Sequence, residues 1–193
     1  MDNMTKMRTT AVSPVVGVML MLVVTIVIAA IVSAFAGGLS ESNDKAPNVQ
    51  ISGGYSQSQG MWIENEGPDD VSTMSTTILV RLSDSFGNAE HIVWTVNKTS
   101  VTNTSSLPAT ESDIDKCRWM RAGGYTGIKS FNVGERAYIV PPYQTHTFLQ
   151  PGVDSKSSTY WLDSPDNIGR SFWVELTDKS GKIFARTKVK IDA

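Results

Sequence analysis

From Val15 to Ala36 the chain is apolar at nearly every position: of these twenty-two residues only Gly17, Thr25 and Ser33 are not hydrophobic, and no charge occurs from Thr9 to Ser40. Such a run has no polar face, so it predicts a helix that is apolar all round rather than an amphipathic one. From Pro14 to Ala36 it would measure about 35 Å, enough to cross a hydrocarbon layer of about 30 Å. Ser13-Pro14 marks its start: a serine oxygen accepts from orphan backbone N–H groups, and proline suits the first helical turn. After Pro47 the pattern changes to two-residue alternation with β-rich runs. Strands are expected at Asn48–Ser52, Gly60–Asn65, Ser75–Leu82, His91–Val96, Glu135–Val140, Thr145–Leu149, Ser158–Leu162, Ser171–Thr177 and Lys182–Ile191. Asp178-Lys179-Ser180-Gly181 reads as a hairpin turn, and Asp84-Ser85-Phe86-Gly87-Asn88 as a second turn. Short strands at this spacing predict an α+β chain: one long N-terminal hydrophobic helix, then an all-β, Ig-like antiparallel sandwich.

Charge adds an orientation. Lys6 and Arg8 precede the apolar run, and Glu41 and Asp44 follow it, so the positive-inside rule leaves the N-terminus in the cytoplasm and the large domain outside. The whole chain has 17 basic and 19 acidic side chains; Lys6, Arg8 and Asp2 lie before the run, which leaves 15 and 18 beyond it, a net of −3. That balance argues against nucleic acid as a partner. The single cysteine, Cys117, excludes an internal disulfide and reads as a small buried hydrophobe.

The apolar run admits three readings. Ala34-Phe35-Ala36 before Gly37 resembles a secretory cleavage site, but a signal core has about 7–15 residues, fewer than here. A plain membrane anchor fits the length and leaves the detail unexplained. The detail is a spacing of four between small residues, Thr25, Ala29, Ser33 and Gly37, with Ala30, Ala34 and Gly38 beside them and Gly17 nearer the start. Such ridges let helix backbones approach closely, which suits a bundle of identical helices.

Ala11-Val12-Ser13-Pro14-Val15-Val16-Gly17, behind a short basic leader and before a long uncharged helix, resembles the N-terminus of archaeal type IV pilins. The resemblance covers residues 1–40. It implies cleavage by a prepilin peptidase among Arg8, Thr9, Thr10 and Ala11, between Thr9 and Thr10; the family usually has a small residue where Thr9 stands. It further implies a helix that first holds the subunit in the membrane and then packs in the core of a filament, with a β-sandwich outside. The segments would be a leader at 1–9, the helix at 10–38, a linker at 39–47 and an extracellular β domain at 48–193. Partners implied are identical subunits, the membrane before assembly, the peptidase, an assembly platform and a cytoplasmic ATPase. The start differs from that usual in archaellins, so an adhesive pilus is favoured over a rotary filament. The alternative is a monomeric, membrane-anchored or secreted β-sandwich that binds a ligand such as a carbohydrate.

Asn97-Lys98-Thr99 and Asn103-Thr104-Ser105 are N-glycosylation sequons, and nine of the eighteen residues from Thr95 to Ser112 are Ser or Thr, so N-linked glycans on an exposed loop are expected. No catalytic constellation stands out. His91 and His146 are the only histidines, and there is neither a nucleophile elbow nor a phosphate loop. Glu111, Asp113 and Asp115 alternate like calcium-loop ligands, but Lys116 stands where such a loop needs glycine; a solvated acidic loop is expected. Tyr138–Tyr143 reads as a strand running into a proline turn. The five tryptophans, at 62, 94, 119, 161 and 173, read as core or subunit-contact residues. The expectation is a structural subunit, not an enzyme, with no cofactor and no metal.

Overall fold

A computed structural model describes residues 14–38, 47–154, 156 and 158–193, and the chain divides between Lys45 and Ala46 into two compact units. The first carries α1 (Pro14–Gly38), a helix of 25 residues. Its β-branched valines and isoleucines are indifferent helix formers in water, so burial against an apolar surrounding, rather than propensity, must sustain it. The hydroxyl of Thr25 donates to Leu22 O at 2.9 Å, which satisfies its proton within the helix.

The second unit is β-rich, as the alternation predicts. Its strands are β1 (Val49–Ser56), β2 (Gly60–Pro68), β3 (Val71–Ser72), β4 (Thr77–Leu82), β5 (Val93–Thr95), β6 (Ser130–Phe131), β7 (Arg136–Ile139), β8 (Ser171–Thr177) and β9 (Ile183–Asp192). Seven of them form one sheet in the order β5-β4-β8-β9-β1-β2-β7; β3 and β6 make a separate two-stranded pair. The faces of the expected sandwich are thus two antiparallel halves of a single curled sheet. The long β9 joins them: Ser171–Thr177 pairs with its residues 183–190 antiparallel, while Ile191 and Asp192 pair parallel with Tyr55 and Ser56 of β1. Alternation puts Ile78, Val80 and Leu82 of β4, and Phe172, Val174 and Leu176 of β8, into the core at zero exposure. From the other half come Ile51, Tyr55, Met61 and Ile63. The two sets meet where the Tyr55 and Phe172 rings pack edge to face, 5.6 Å apart.

Tyr55 also carries a pH dependence. Its hydroxyl donates to Gln144 O at 3.1 Å, and burial, reinforced by the nearby Asp163 carboxylate, holds its pKa well above the ordinary 10.0. A raised folded-state value contributes stability that is fully present below the unfolded pKa and is lost as pH rises past it, because the unfolded phenol ionises and the folded one does not. Thermal melts should therefore fall above about pH 10, and Tyr55→Phe should flatten that fall while lowering stability at neutral pH; an unchanged alkaline slope in the variant would count against the assignment.

The β8–β9 hairpin forms at the expected turn, where Asp178 Oδ1 accepts from Ser180 N (2.8 Å), Ser180 Oγ (2.6 Å) and Lys182 N (3.0 Å) and Gly181 takes φ +83°. These donors, the Ser180 hydroxyl first, hold the Asp178 carboxyl below its ordinary pKa. Asp84–Phe86 makes a 3-10 turn ended by Gly87 at φ +71°. β7 runs into Pro141-Pro142, where Tyr143 N donates to Val140 O (2.8 Å).

Three expectations are corrected. Thr145–Leu149 is not a strand: His146–Leu149 is α3, a single helical turn whose first orphan donors, Phe148 N and Leu149 N, both reach Thr145 O. Ser158–Leu162 is not a strand either; Ser158–Tyr160 is a 3-10 turn. Two buried amides explain this. Asn167 Nδ2 donates to the carbonyls of Ser158, Thr159 and Trp161, and Gln150 takes Leu162 N and Tyr160 O, so the polar groups a ladder would use are satisfied by side chains. Finally, Glu111, Asp113 and Asp115 lie on α2 (Glu111–Cys117), capped by Thr110, which accepts from Asp113 N and donates to its carboxylate at 2.7 Å.

Candidate assembly helix and exposed faces of the β domain

Every described side chain of α1, from Pro14 to Ala34, is exposed, including Met21 at 76% and Val18 at 67%. The 21 residues to Ala34 are long and apolar enough to span a membrane. A helix with this surface and no polar side cannot rest in water; it needs lipid or an apolar partner. Thr25, Ala29 and Ser33 follow one another at steps of four, with Ala30 and Ala34 on the adjoining line and Gly17 two turns before Thr25. Gly37 falls in the last turn of the helix. Arg8, Thr9, Thr10, Ala11 and Ser13 lie outside the described residues, as does most of the 39–47 linker.

Both sequon asparagines are exposed. Asn97 caps the 3-10 turn Lys98–Ser100, its Oδ1 accepting from Thr99 N at 3.1 Å. Lys98 beneath it donates to Thr73 O (2.9 Å) and Met74 O (3.3 Å); burial, then repulsion from Lys179, lowers its pKa. Asn103 is tied down by its backbone N–H to Cys117 O (3.0 Å), next to Thr102, which bridges to both Arg118 and Tyr138. The expected exposed loop is thus anchored at residues 97–103, with both sequon asparagines exposed. Cys117 itself is half-buried at the end of α2.

The alternating acidic residues are engaged with cations. Arg118, buried, takes Glu111 at 2.8 Å, Asp115 at 3.1 Å and the Tyr143 hydroxyl at 2.8 Å, while Lys116 takes Asp113 at 2.7 Å. Burial works against the Arg118 charge, but Tyr143 and the two carboxylates outweigh it and its pKa is raised. No cluster of three or more metal-ligating side chains occurs among the described residues.

The tryptophans divide. Trp119 is core, packed at 5.4 Å on Phe131. Trp161 stacks flat on His146 at 4.0 Å, and His146 Nδ1 lies 2.9 Å from both oxygens of Asp163. Trp94 is half-buried against the core. Trp62 and Trp173 stand on the outward faces of the two half-sheets under cations: Arg136 lies 4.6 Å over Trp62, and Arg186 (4.9 Å) and Lys188 (5.7 Å) flank Trp173. Alongside, Arg81 and the buried Glu175 pair at 3.0 Å, and Arg136 and Glu64 at 2.6 Å. The sequence reading missed these cations. Their signal was register: Lys188 stands opposite Trp173, and Arg136 is one same-face step from Tyr138, which stands opposite Trp62.

Residues 10–51 match the family model of the archaeal type IV pilin N-terminal domain, so this stretch of the chain is similar to that family. No curated protein matches the chain.

Proposed function

We propose that the chain is the structural subunit of an extracellular type IV pilus-like filament that serves surface adhesion. The observation that carries this reading is the uncharged α1, whose described side chains are all exposed, joined to a β domain with a core of its own. The family match supports it by beginning at Thr10, the first residue after the proposed cut. In this reading a peptidase removes residues 1–9 on the cytoplasmic side, and the membrane holds α1 until an assembly platform and ATPase draw the subunit out. Polymerisation then exchanges lipid for neighbouring helices along the Thr25–Ala29–Ser33–Gly37 and Ala30–Ala34 ridges, with Gly17 easing the start of the helix. One repeated, non-closing contact makes an open filament. The linker at 39–47 would let the β domain face outward, and Asn97 and Asn103 would carry glycans on its surface. The role is structural rather than enzymatic.

The test is the N-terminus and intact mass of the mature protein from filaments sheared off cells. The expected result is a start at or next to Thr10 with α1 retained, plus glycan mass that Asn97→Gln and Asn103→Gln remove. A start at Gly37 would mean removal of the helix and would defeat the filament reading.

A further inference from the structure

We propose that the outward face at the β1–β2–β7 end of the sheet holds a binding groove for a neutral saccharide. It is an open groove of about 530 Å³ whose walls include Trp62, Tyr138, Pro141, Gln59, Ser105 and Asp192. The volume is that of a small-molecule site, about 300–1,000 Å³.

Its chemistry is mixed in the way a sugar requires. The Tyr138 ring and Pro141 offer apolar area to the C–H face of a pyranose, Trp62 contributes its indole edge, and the rim offers both hydrogen-bond donors and acceptors. The indole N–H of Trp62, the side-chain amide of Gln59 and the hydroxyl of Ser105 have no hydrogen-bond partner among the described residues. Among the described residues the Asp192 carboxylate has only Lys190, at 3.6 Å. A carboxylate and an amide lining one groove can share a sugar's hydroxyls, the carboxylate accepting and the amide accepting and donating. The indole is held in place. Gly54 makes room for it, since an added Cβ there would meet Trp62 Nε1 at 2.6 Å, and Arg136 covers the ring at 4.6 Å. Charge selects against anions: Arg136 is taken up by Glu64 at 2.6 Å, and the groove's own ionised group is Asp192.

A second depression adjoins the first. Asn103 lines it with Glu64, Glu135, Arg136 and Tyr138, and Tyr138 belongs to both walls. A sugar can therefore arrive from two sources, a glycan attached at Asn103 or a free glycan of a surface. The inference deepens the adhesion reading by naming a ligand class, and rests on that reading only for its use. The dispersed chain suffices to measure it, so its failure is distinct from a failure to form filaments.

The experiment is saturation-transfer NMR on the full chain in a phosphocholine detergent, produced in a host without N-glycosylation. The probes are the methyl glycosides of glucose, galactose, mannose and N-acetylglucosamine. At least one should bind saturably, and the double variant Gln59→Ala/Asp192→Asn, both exposed residues, should weaken it about tenfold or more. Glu66→Gln, exposed on the same strand β2, should leave it unchanged. No binding by any probe, or binding that survives the double substitution, overturns the proposal. The source follows from protein made in its own cells. Tighter free-sugar binding by Asn103→Gln than by wild type identifies the attached glycan as the occupant, and equal binding identifies a free one.

Discussion

Ala29→Leu/Ser33→Leu should leave cells with a normally anchored subunit and no filaments. Both positions lie on the small-residue ridge of α1 and are exposed in the isolated chain. Leucine is a strong helix former and raises the apolarity of the helix, so insertion in lipid is preserved or improved. What changes is the closest approach of a neighbouring helix. Overpacking costs about 1–3 kcal/mol at each filled site, and in a polymer the same penalty recurs at every subunit contact. Sheared-cell fractions viewed by electron microscopy should lack filaments while the membrane fraction retains the protein by immunoblot. This pair of readouts separates assembly from anchoring. If filaments persist at wild-type number and length, the ridge is not the packing surface. Substituting Leu20→Ala and Val24→Ala, off that ridge on the same helix, should be far milder.

Phe172→Ala should be the most damaging single change in the β domain. Phe172 lies at zero exposure on β8, packs edge to face on Tyr55 of β1, and so ties one half-sheet to the other. Truncating a buried phenylalanine costs about 3–5 kcal/mol, part of it the cavity left behind. An edge-to-face ring pair adds about 0.5–1.5 kcal/mol beyond its area, already contained in that figure. For a domain of this size the melting temperature should fall by roughly 10 °C or more. The damage falls on the seam between two half-sheets whose direct strand pairing, among the described residues, is Tyr55–Ile191 and Ser56–Asp192. Phe172→Leu should cost less than half as much, and a melt within 2–3 °C of wild type for the alanine variant, about 1 kcal/mol, would show that the seam is held elsewhere.

Local chemistry made much of this molecule legible in advance. The apolar run could be nothing but a helix needing a non-aqueous surrounding, because its backbone groups must pair internally and its side chains offer water nothing. Ser171–Thr177 and the Asp178–Gly181 turn were readable because alternation and turn residues act within a few positions. The sequons were readable as patterns, and the structure adds that both asparagines face outward. The failures have local and long-range causes. Ser158–Leu162 has strand-like composition, but the buried Gln150 and Asn167 side chains claim its backbone groups, while Thr145–Leu149 closes its backbone bonds within one turn, on Thr145 O and His146 O. Asp113 belonged to a cap and Glu111 and Asp115 to Arg118, which a spacing rule for calcium has no means to see. The joining of two half-sheets by β9, the cations over Trp62 and Trp173, and the groove beside Asn103 all depend on pairs separated by tens of residues. Such pairs form only once the entropy of closing the intervening chain has been met by the whole core. One-dimensional patterning set the helix, the strand alternation and the likeness to a pilin; long-range packing set the register, the charge partners and the shape of the exposed face.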